Sequence, residues 1–169
     1  MDAEELRSIQ APLKDRYRVE PDAALVTLRA SGALDSSSIA CKVETGRALA
    51  AAGLHPATGG SGRELCSGDM LLEALVACAG VTLKAVATSI GAEVRAGRVL
   101  AEGDLDFRGT LGVARDAPVG FASIRLSFEL DTDASETQLE TLLKLTERYC
   151  VVLQTLRRPP AIETRLVRA

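Results

Sequence analysis

The sequence predicts an α+β domain, with helices packed on a largely antiparallel sheet, and three observations carry that prediction. Gly68 to Ala87 reads as one long helix that is apolar nearly all round. A second helix opens at Ser135, with Gln138 three residues on as a capping-box signature. Around both lie runs with strand-type alternation, so the order is strands, long helix, strands, helix, strand. Grouped elements of this kind point to helices set against an antiparallel sheet rather than to repeated βαβ units. At 169 residues, 47% of them apolar, the chain fits a single domain over residues 1–169 with enough apolar side chains for a core.

Taken in order, residues 2–10 suit a short helix capped by Asp2 and stopped by Pro12. Residues 24–30 alternate imperfectly, whereas 37–45 alternate cleanly through Ile39, Cys41 and Val43. The link 31–36 is hairpin-sized, with Gly32 as its turn residue. Arg47 to Ala52 has no clear period, and His55 to Gly62 is a loop by composition. The glycines of that loop do not form a phosphate cradle, since the P-loop lysine and the dinucleotide spacing are both missing.

The central helix comes next. Only Glu73, Gly80, Thr82 and Lys84 interrupt its apolar run from Met70 to Ala87. A helix apolar on every side lies in a core or a membrane; with Glu73 and Lys84 inside the run, a core helix is expected and no membrane partner. Ser67 or Asp69 can cap its start, and Gly91 suits its left-handed end. Beyond it, 92–111 reads as a strand or hairpin broken at Gly97 and Gly103, and Phe121 to Leu130 as a half-buried strand. The second helix carries a stripe of Leu139, Leu142, Leu143, Thr146, Tyr149 and Cys150. Pro159-Pro160 breaks the chain, and 162–167 can add a last strand.

Composition excludes some functions. Aromatic residues are three Phe and two Tyr, and the 20 basic residues are spread along a chain of net charge −3, so no basic stripe for nucleic acid forms. The acidic stretch Met1 to Leu6 is not a secretory signal, which predicts a cytoplasmic, reducing setting. Four cysteines there are core filler, metal ligands or catalytic groups rather than a disulfide framework. A zinc site of Cys41, His55 and Cys66 can be drawn, but its spacing fits no common pattern. No cofactor is expected. Cys41 and Cys66 read as bystanders, and His55, in a Gly-rich loop beside Pro56, as locally bonded or at a site's mouth.

Cys78 and Cys150 are different, because both project inward from helices that share one core. Spacing alone leaves them either as small buried hydrophobes or as a working pair. Thr82, one turn after Cys78, lies on the same face. Asp69 lies about half a revolution from Cys78 on an ideal helix and can influence it only through a third group, such as an arginine. Glu73 also points away, toward the rim or a subunit contact.

The stretch from Cys66 through Cys78, with Thr146-Glu147-Arg148-Tyr149-Cys150-Val151-Val152 far downstream, resembles the OsmC/Ohr family. Members of that family set one cysteine in a buried central helix and another at the end of a later helix. The resemblance implies an OsmC-like fold, with sheets packed around the central helix of an intertwined homodimer. It also implies a thiol peroxidase acting on organic hydroperoxides, and on hydrogen peroxide by the same chemistry. Cys78 would attack the peroxide and become a sulfenic acid, Cys150 would condense with it to a disulfide, and an external dithiol or lipoyl-type reductant would reset the pair. The family lowers the thiol pKa with an arginine held by an acidic residue. That acidic position falls on Asp69, with Glu73 as the other carboxylate. The arginine falls among Arg16, Arg18 and Arg29, with Arg18 favoured, and the proline that usually follows the second cysteine is Val151. The alternatives are a non-catalytic dimer that binds a small apolar ligand, or a redox-sensing protein.

Overall fold

In the computed structural model, residues 50–112 and 114–168 are described with their side chains. The backbone of 31–34, 40–44 and 49 is also described, with 2–5, 7, 8, 10, 11 and 19 near the N-terminus. There Asp2 takes its expected capping role: its carboxylate accepts from the N–H groups of Glu4 and Glu5 at 2.8 Å.

Among the described residues, four strands precede the central helix: β1 (Ser31–Leu34), β2 (Ala40–Glu44), β3 (Leu49–Gly53) and β4 (Leu65–Cys66). They form one sheet in that order, antiparallel except for the parallel pair β3–β4. The expected turn at 31–36 is corrected: Gly32 lies inside β1, opposite Val43, and Leu34 faces Cys41. Pairing with β2 overrides the weak strand preference of Ser-Gly-Ala, a context effect common in sheets. The connection at 35–39 and the expected strand at 24–30 lie outside the described residues. β3, nearly all alanine, has no alternation to read, and its pairing with β2 defines it.

The loop after β3 holds a tight helical turn, Pro56–Thr58. His55 Nδ1 caps it by accepting from the Ala57 N–H at 3.0 Å, so this side chain is locally bonded. Helix α1 (Ser67–Ile90) then starts directly out of β4, with Cys66 at the N-cap and no side-chain cap bond. Neither Ser67 nor Asp69 caps it, contrary to expectation, because both already lie within the first turn. Asp69 there places negative charge near the unpaired N–H groups. Gly91, at φ 70°, closes the helix as expected.

One face of α1 is buried, through Leu75, Ala79, Leu83, Val86 and Ala87. The opposite face remains open in the single chain, with Val81 73% exposed. The charged interruptions sit at the rim: Glu73 and Lys84 are exposed, and Lys84 Nζ donates to the Val94 carbonyl at 3.0 Å. By length and composition the helix could cross a membrane, but its apolar stripe is taken up by the core.

β5 (Ala96–Leu105) and β6 (Phe121–Asp131) form a long antiparallel ribbon against that stripe. Gly97 and Gly103 do not break β5. They are points of close approach: a Cβ at Gly103 would lie 2.4 Å from the Phe121 ring, and one at Gly97 2.8 Å from the Leu130 side chain. Ile124, Leu126, Phe128 and Leu130 alternate inward as expected, and the outer face pairs Arg125 with Asp104 at 2.9 Å. A short helix, α2 (Phe107–Thr110), follows β5.

Helix α3 (Glu136–Tyr149) carries the full capping box of Ser135 and Gln138. Its inward stripe is narrower than expected: Leu142, Thr146 and Cys150 are buried, whereas Leu143 and Tyr149 are exposed. Helix α4 (Val151–Arg157) follows at once. Residues 162–167 form no strand, with Leu166 93% exposed, because among the described residues they pair with no sheet edge to complete their backbone bonds.

Among the described residues the core has two parts. One gathers Leu83, Val86, Ala87, Ala92, Val94 and Leu142; the other gathers Leu75, Ala79 and Cys150, with Cys78 packed against them. Thr146 is the polar exception, its Oγ1 buried without a partner among the described residues. An orphaned buried hydroxyl destabilises. Thr146→Val is therefore expected to raise unfolding stability by about 1 kcal/mol in urea titration, and a drop would show that the hydroxyl is bonded in the assembled protein.

Candidate active site

Cys78 sits at the middle of α1, half-buried, while Cys150 is fully buried at the junction of α3 and α4. Cys150 serves both helices. Its N–H bonds to the Thr146 carbonyl at 3.0 Å and its carbonyl accepts from Gln154 at 2.9 Å. Between those bonds its backbone is extended, at φ −70° and ψ 107°, which breaks one helix from the next. The break leaves the N–H groups of Val151 and Val152, at the start of α4, without an intrahelical acceptor. A Glu147–Arg157 ion pair at 2.9 Å and a bond from Gln154 Nε2 to the Glu147 carbonyl at 2.7 Å brace α3 against α4.

The two thiols are free, and Cys78 packs against the cluster that holds Cys150. Burial disfavours the Cys78 thiolate, but four donors outweigh it: the Val152 N–H, the Cys150 thiol, the Val151 N–H and the Thr82 hydroxyl. Together they hold the Cys78 thiol below its ordinary pKa. Thr82 Oγ1 donates to the Cys78 carbonyl at 2.7 Å, one turn back along α1. Cys150 moves the opposite way. Burial pushes its thiol up, and the neighbouring Cys78 adds to that, against the N–H groups of Leu153 and Val152. The environment therefore separates an easily ionised, partly accessible sulfur from a buried one that keeps its proton.

Of the other expected site residues, Arg16, Arg18 and Arg29 lie outside the described residues. Asp69 and Glu73 are exposed on α1, and nine residues of helix put Asp69 about 14 Å along the axis from Cys78. Asp69 instead borders a separate cavity of about 350 Å³ with His55, Cys66, Leu72 and Phe107. His55 stacks on Phe107 there, ring centroids 4.9 Å apart. Cys66, at the start of α1, is a free thiol away from the pair. Among the described residues no group of His, Cys, Asp or Glu could hold a metal ion. Sequence reading missed the two amides of Val151 and Val152. Their side chains carry no chemical signal, and the only hint is a helix that restarts immediately after a buried cysteine.

The fold is shared with solved structures of low sequence identity. An OsmC-like protein from Mycoplasma pneumoniae is 17% identical, with 79% of this chain and 89% of that one covered and a TM-score of 0.65. An organic hydroperoxide resistance protein OsmC from Legionella pneumophila is 17% identical, with 80% and 92% covered and a TM-score of 0.61. An organic hydroperoxide resistance protein from Elizabethkingia anophelis is 14% identical, with 80% and 91% covered and a TM-score of 0.62. At these identities the likeness is one of fold. Comparison by sequence with curated proteins finds no match. The family model described as OsmC-like protein matches residues 60–165, more than half of the chain and both cysteine contexts, so the chain belongs to the OsmC-like family.

Proposed function

We propose that this protein is a thiol-dependent reductase of organic hydroperoxides, with Cys78 as the attacking thiol and Cys150 as the resolving one. One observation carries the reading: two adjacent free thiols whose surroundings drive their ionisation apart. A nucleophilic thiol must be a thiolate at working pH, and a resolving thiol is needed only after the first step. The names of the Legionella and Elizabethkingia proteins with the same fold support the substrate class.

In the first step the Cys78 thiolate attacks the terminal peroxide oxygen. An S–O bond forms, the O–O bond breaks, and the alkoxide leaves as an alcohol after taking a proton. Cys78 is then a sulfenic acid. The Cys150 sulfur attacks it, an S–S bond forms, and the hydroxyl leaves as water with the proton released by Cys150. A second, external dithiol, of lipoyl type, returns the pair to thiols and is itself oxidised to a disulfide. By the family resemblance, an arginine among Arg16, Arg18 and Arg29, anchored by Asp69 or Glu73, would add positive charge at the sulfur. No metal or cofactor enters these steps.

The open apolar face of α1, with Leu71 and Val81 exposed, fits burial against a second copy. Sedimentation at twice the chain mass would support a homodimer, and a monomer would remove it. A cytoplasmic setting would keep the thiols reduced between turnovers.

The ionisation order gives a direct test of the pair. Limited iodoacetamide at pH 7 is expected to label Cys78 well before Cys150, and labelling of Cys78 is expected to rise at a lower pH than for an unperturbed thiol, near 8.5. The functional test is consumption of cumene hydroperoxide in the presence of excess dithiol. Turnover faster than the dithiol alone is expected, and its absence would overturn the reading in favour of a ligand-binding dimer.

A further inference from the structure

Cys150 stands where α3 stops and α4 begins, and one bond beside that break is not of the usual helical kind. In an unbroken helix the Glu147 carbonyl would accept from the N–H of Val151. The backbone bonds that span the junction run instead from the Cys150 N–H to the Thr146 carbonyl at 3.0 Å and from the Gln154 N–H to the Cys150 carbonyl at 2.9 Å. The Glu147 carbonyl takes its bond from a side chain, Nε2 of Gln154, at 2.7 Å in a half-buried setting. Residues 147 and 154 are seven apart with Cys150 between them, so this clasp restrains the chain on both sides of the cysteine. Arg157, three residues on from Gln154, holds the Glu147 carboxylate at 2.9 and 3.2 Å. That ion pair is half exposed and weakened by water, which leaves the amide bond as the firmer part of the clasp.

We propose that Gln154 is a positioning residue for the resolving step: its side-chain amide replaces the missing backbone donor at Glu147 and so holds Cys150 in place against Cys78. The proposal rests on Cys150 being the resolving thiol. In that step the Cys150 sulfur attacks the sulfenic sulfur of Cys78. The S–S bond forms, the S–O bond breaks, and the hydroxide leaves as water with the proton from Cys150. Such a bond forms only within a narrow range of separation and direction. Cys150 is fully buried in a cluster with Leu75 and Ala79, and Cys78 packs against that cluster. A small change in the angle between α3 and α4 therefore moves the Cys150 sulfur relative to α1. Gln154 acts through the backbone of α3 and takes no part in the attack on peroxide.

Methionine and lysine at this position separate the hydrogen bond from the shape of the side chain. Both are unbranched and favour the helix about as well as glutamine does. Gln154→Met fills the space without an N–H donor, whereas Gln154→Lys keeps one. Both variants are expected to fold with unchanged circular dichroism.

The test adds one equivalent of cumene hydroperoxide to fully reduced protein and follows quenched samples by intact mass. The first phase, gain of one oxygen at Cys78, is expected at the wild-type rate in both variants. The second phase, loss of water as the disulfide closes, should be about tenfold slower in Gln154→Met and close to wild type in Gln154→Lys. A general loss of stability would not single out the second phase. A wild-type second phase in Gln154→Met overturns the proposal. Equal slowing in Gln154→Lys also overturns it, by tracing the loss to shape rather than to the bond. A wild type that forms no Cys78–Cys150 disulfide defeats the paired-thiol reading and this proposal with it, a result distinct from a disulfide that closes equally fast whatever residue 154 is. If Gln154→Met does not fold, Gln154→Glu takes its place, because an ionised carboxylate of the same length accepts but does not donate. The same slowing is then expected at neutral pH. Failure of both variants to fold would make Gln154 a residue of the fold and overturn the positioning role.

Discussion

Replacing Cys78 with serine is expected to abolish hydroperoxide reduction, with a fall in kcat/KM of at least about a thousandfold, or some 4 kcal/mol of barrier. The reason is chemical rather than steric. A serine hydroxyl does not ionise at neutral pH, and its oxygen cannot accept the peroxide oxygen as sulfur does. The donors that hold the Cys78 thiol below its ordinary pKa would then surround a group with no charge to stabilise. The companion change, Cys150→Ser, should separate the two steps. It should keep one rapid turnover per protein and then stall as a sulfenic acid, seen as a mass gain of a single oxygen. Stopped-flow with cumene hydroperoxide and intact-mass analysis check both. Full multiple turnover in Cys78→Ser would refute the assignment.

The largest expected effect on stability is that of Leu75→Ala. Leu75 is fully buried and packs with Ala79 and Cys150 in the cluster beside the thiol pair. Truncating a buried leucine removes its transfer energy and leaves a cavity, at a cost of about 2–5 kcal/mol, a large share of the roughly 5–15 kcal/mol that holds a domain together. Because Cys150 shares the cluster, the same change should also loosen the α3–α4 junction and slow disulfide formation. Urea unfolding and the rate of the second step measure the two effects. A stability loss below about 1 kcal/mol would show that α1 and its neighbours close over the gap.

Sequence alone made the helical skeleton and the thiol pair legible, for identifiable reasons. The capping box at Ser135, the left-handed Gly91 and the alternation from Phe121 to Leu130 are local signals, and each sits where it was read. Sheet pairing was less legible. β1 falls on Ser-Gly-Ala-Leu and β3 on a run of alanines, so their strand character comes from partners far along the chain. Gly97 and Gly103 looked like breaks because glycine has two uses, flexibility and close approach, and only the positions of Leu130 and Phe121 distinguish them. The central helix was read as buried all round from its composition. In the single chain its Leu75, Ala79, Leu83, Val86 and Ala87 face is covered, while Val81 on the other side is 73% exposed. At the site, spacing left Cys78 and Cys150 as buried filler or a working pair and the family resemblance singled them out, whereas two of the four groups that lower the Cys78 pKa are main-chain N–H groups, which leave no mark in a residue code.

The most direct test of the paired-thiol mechanism is to treat fully reduced protein with one equivalent of cumene hydroperoxide and count what remains. Two free thiols should be lost per chain, and peptide mapping without reductant should recover a fragment joining Cys78 to Cys150, with Cys66 still alkylatable. An unchanged thiol count, or a disulfide that leaves out either Cys78 or Cys150, would contradict the mechanism.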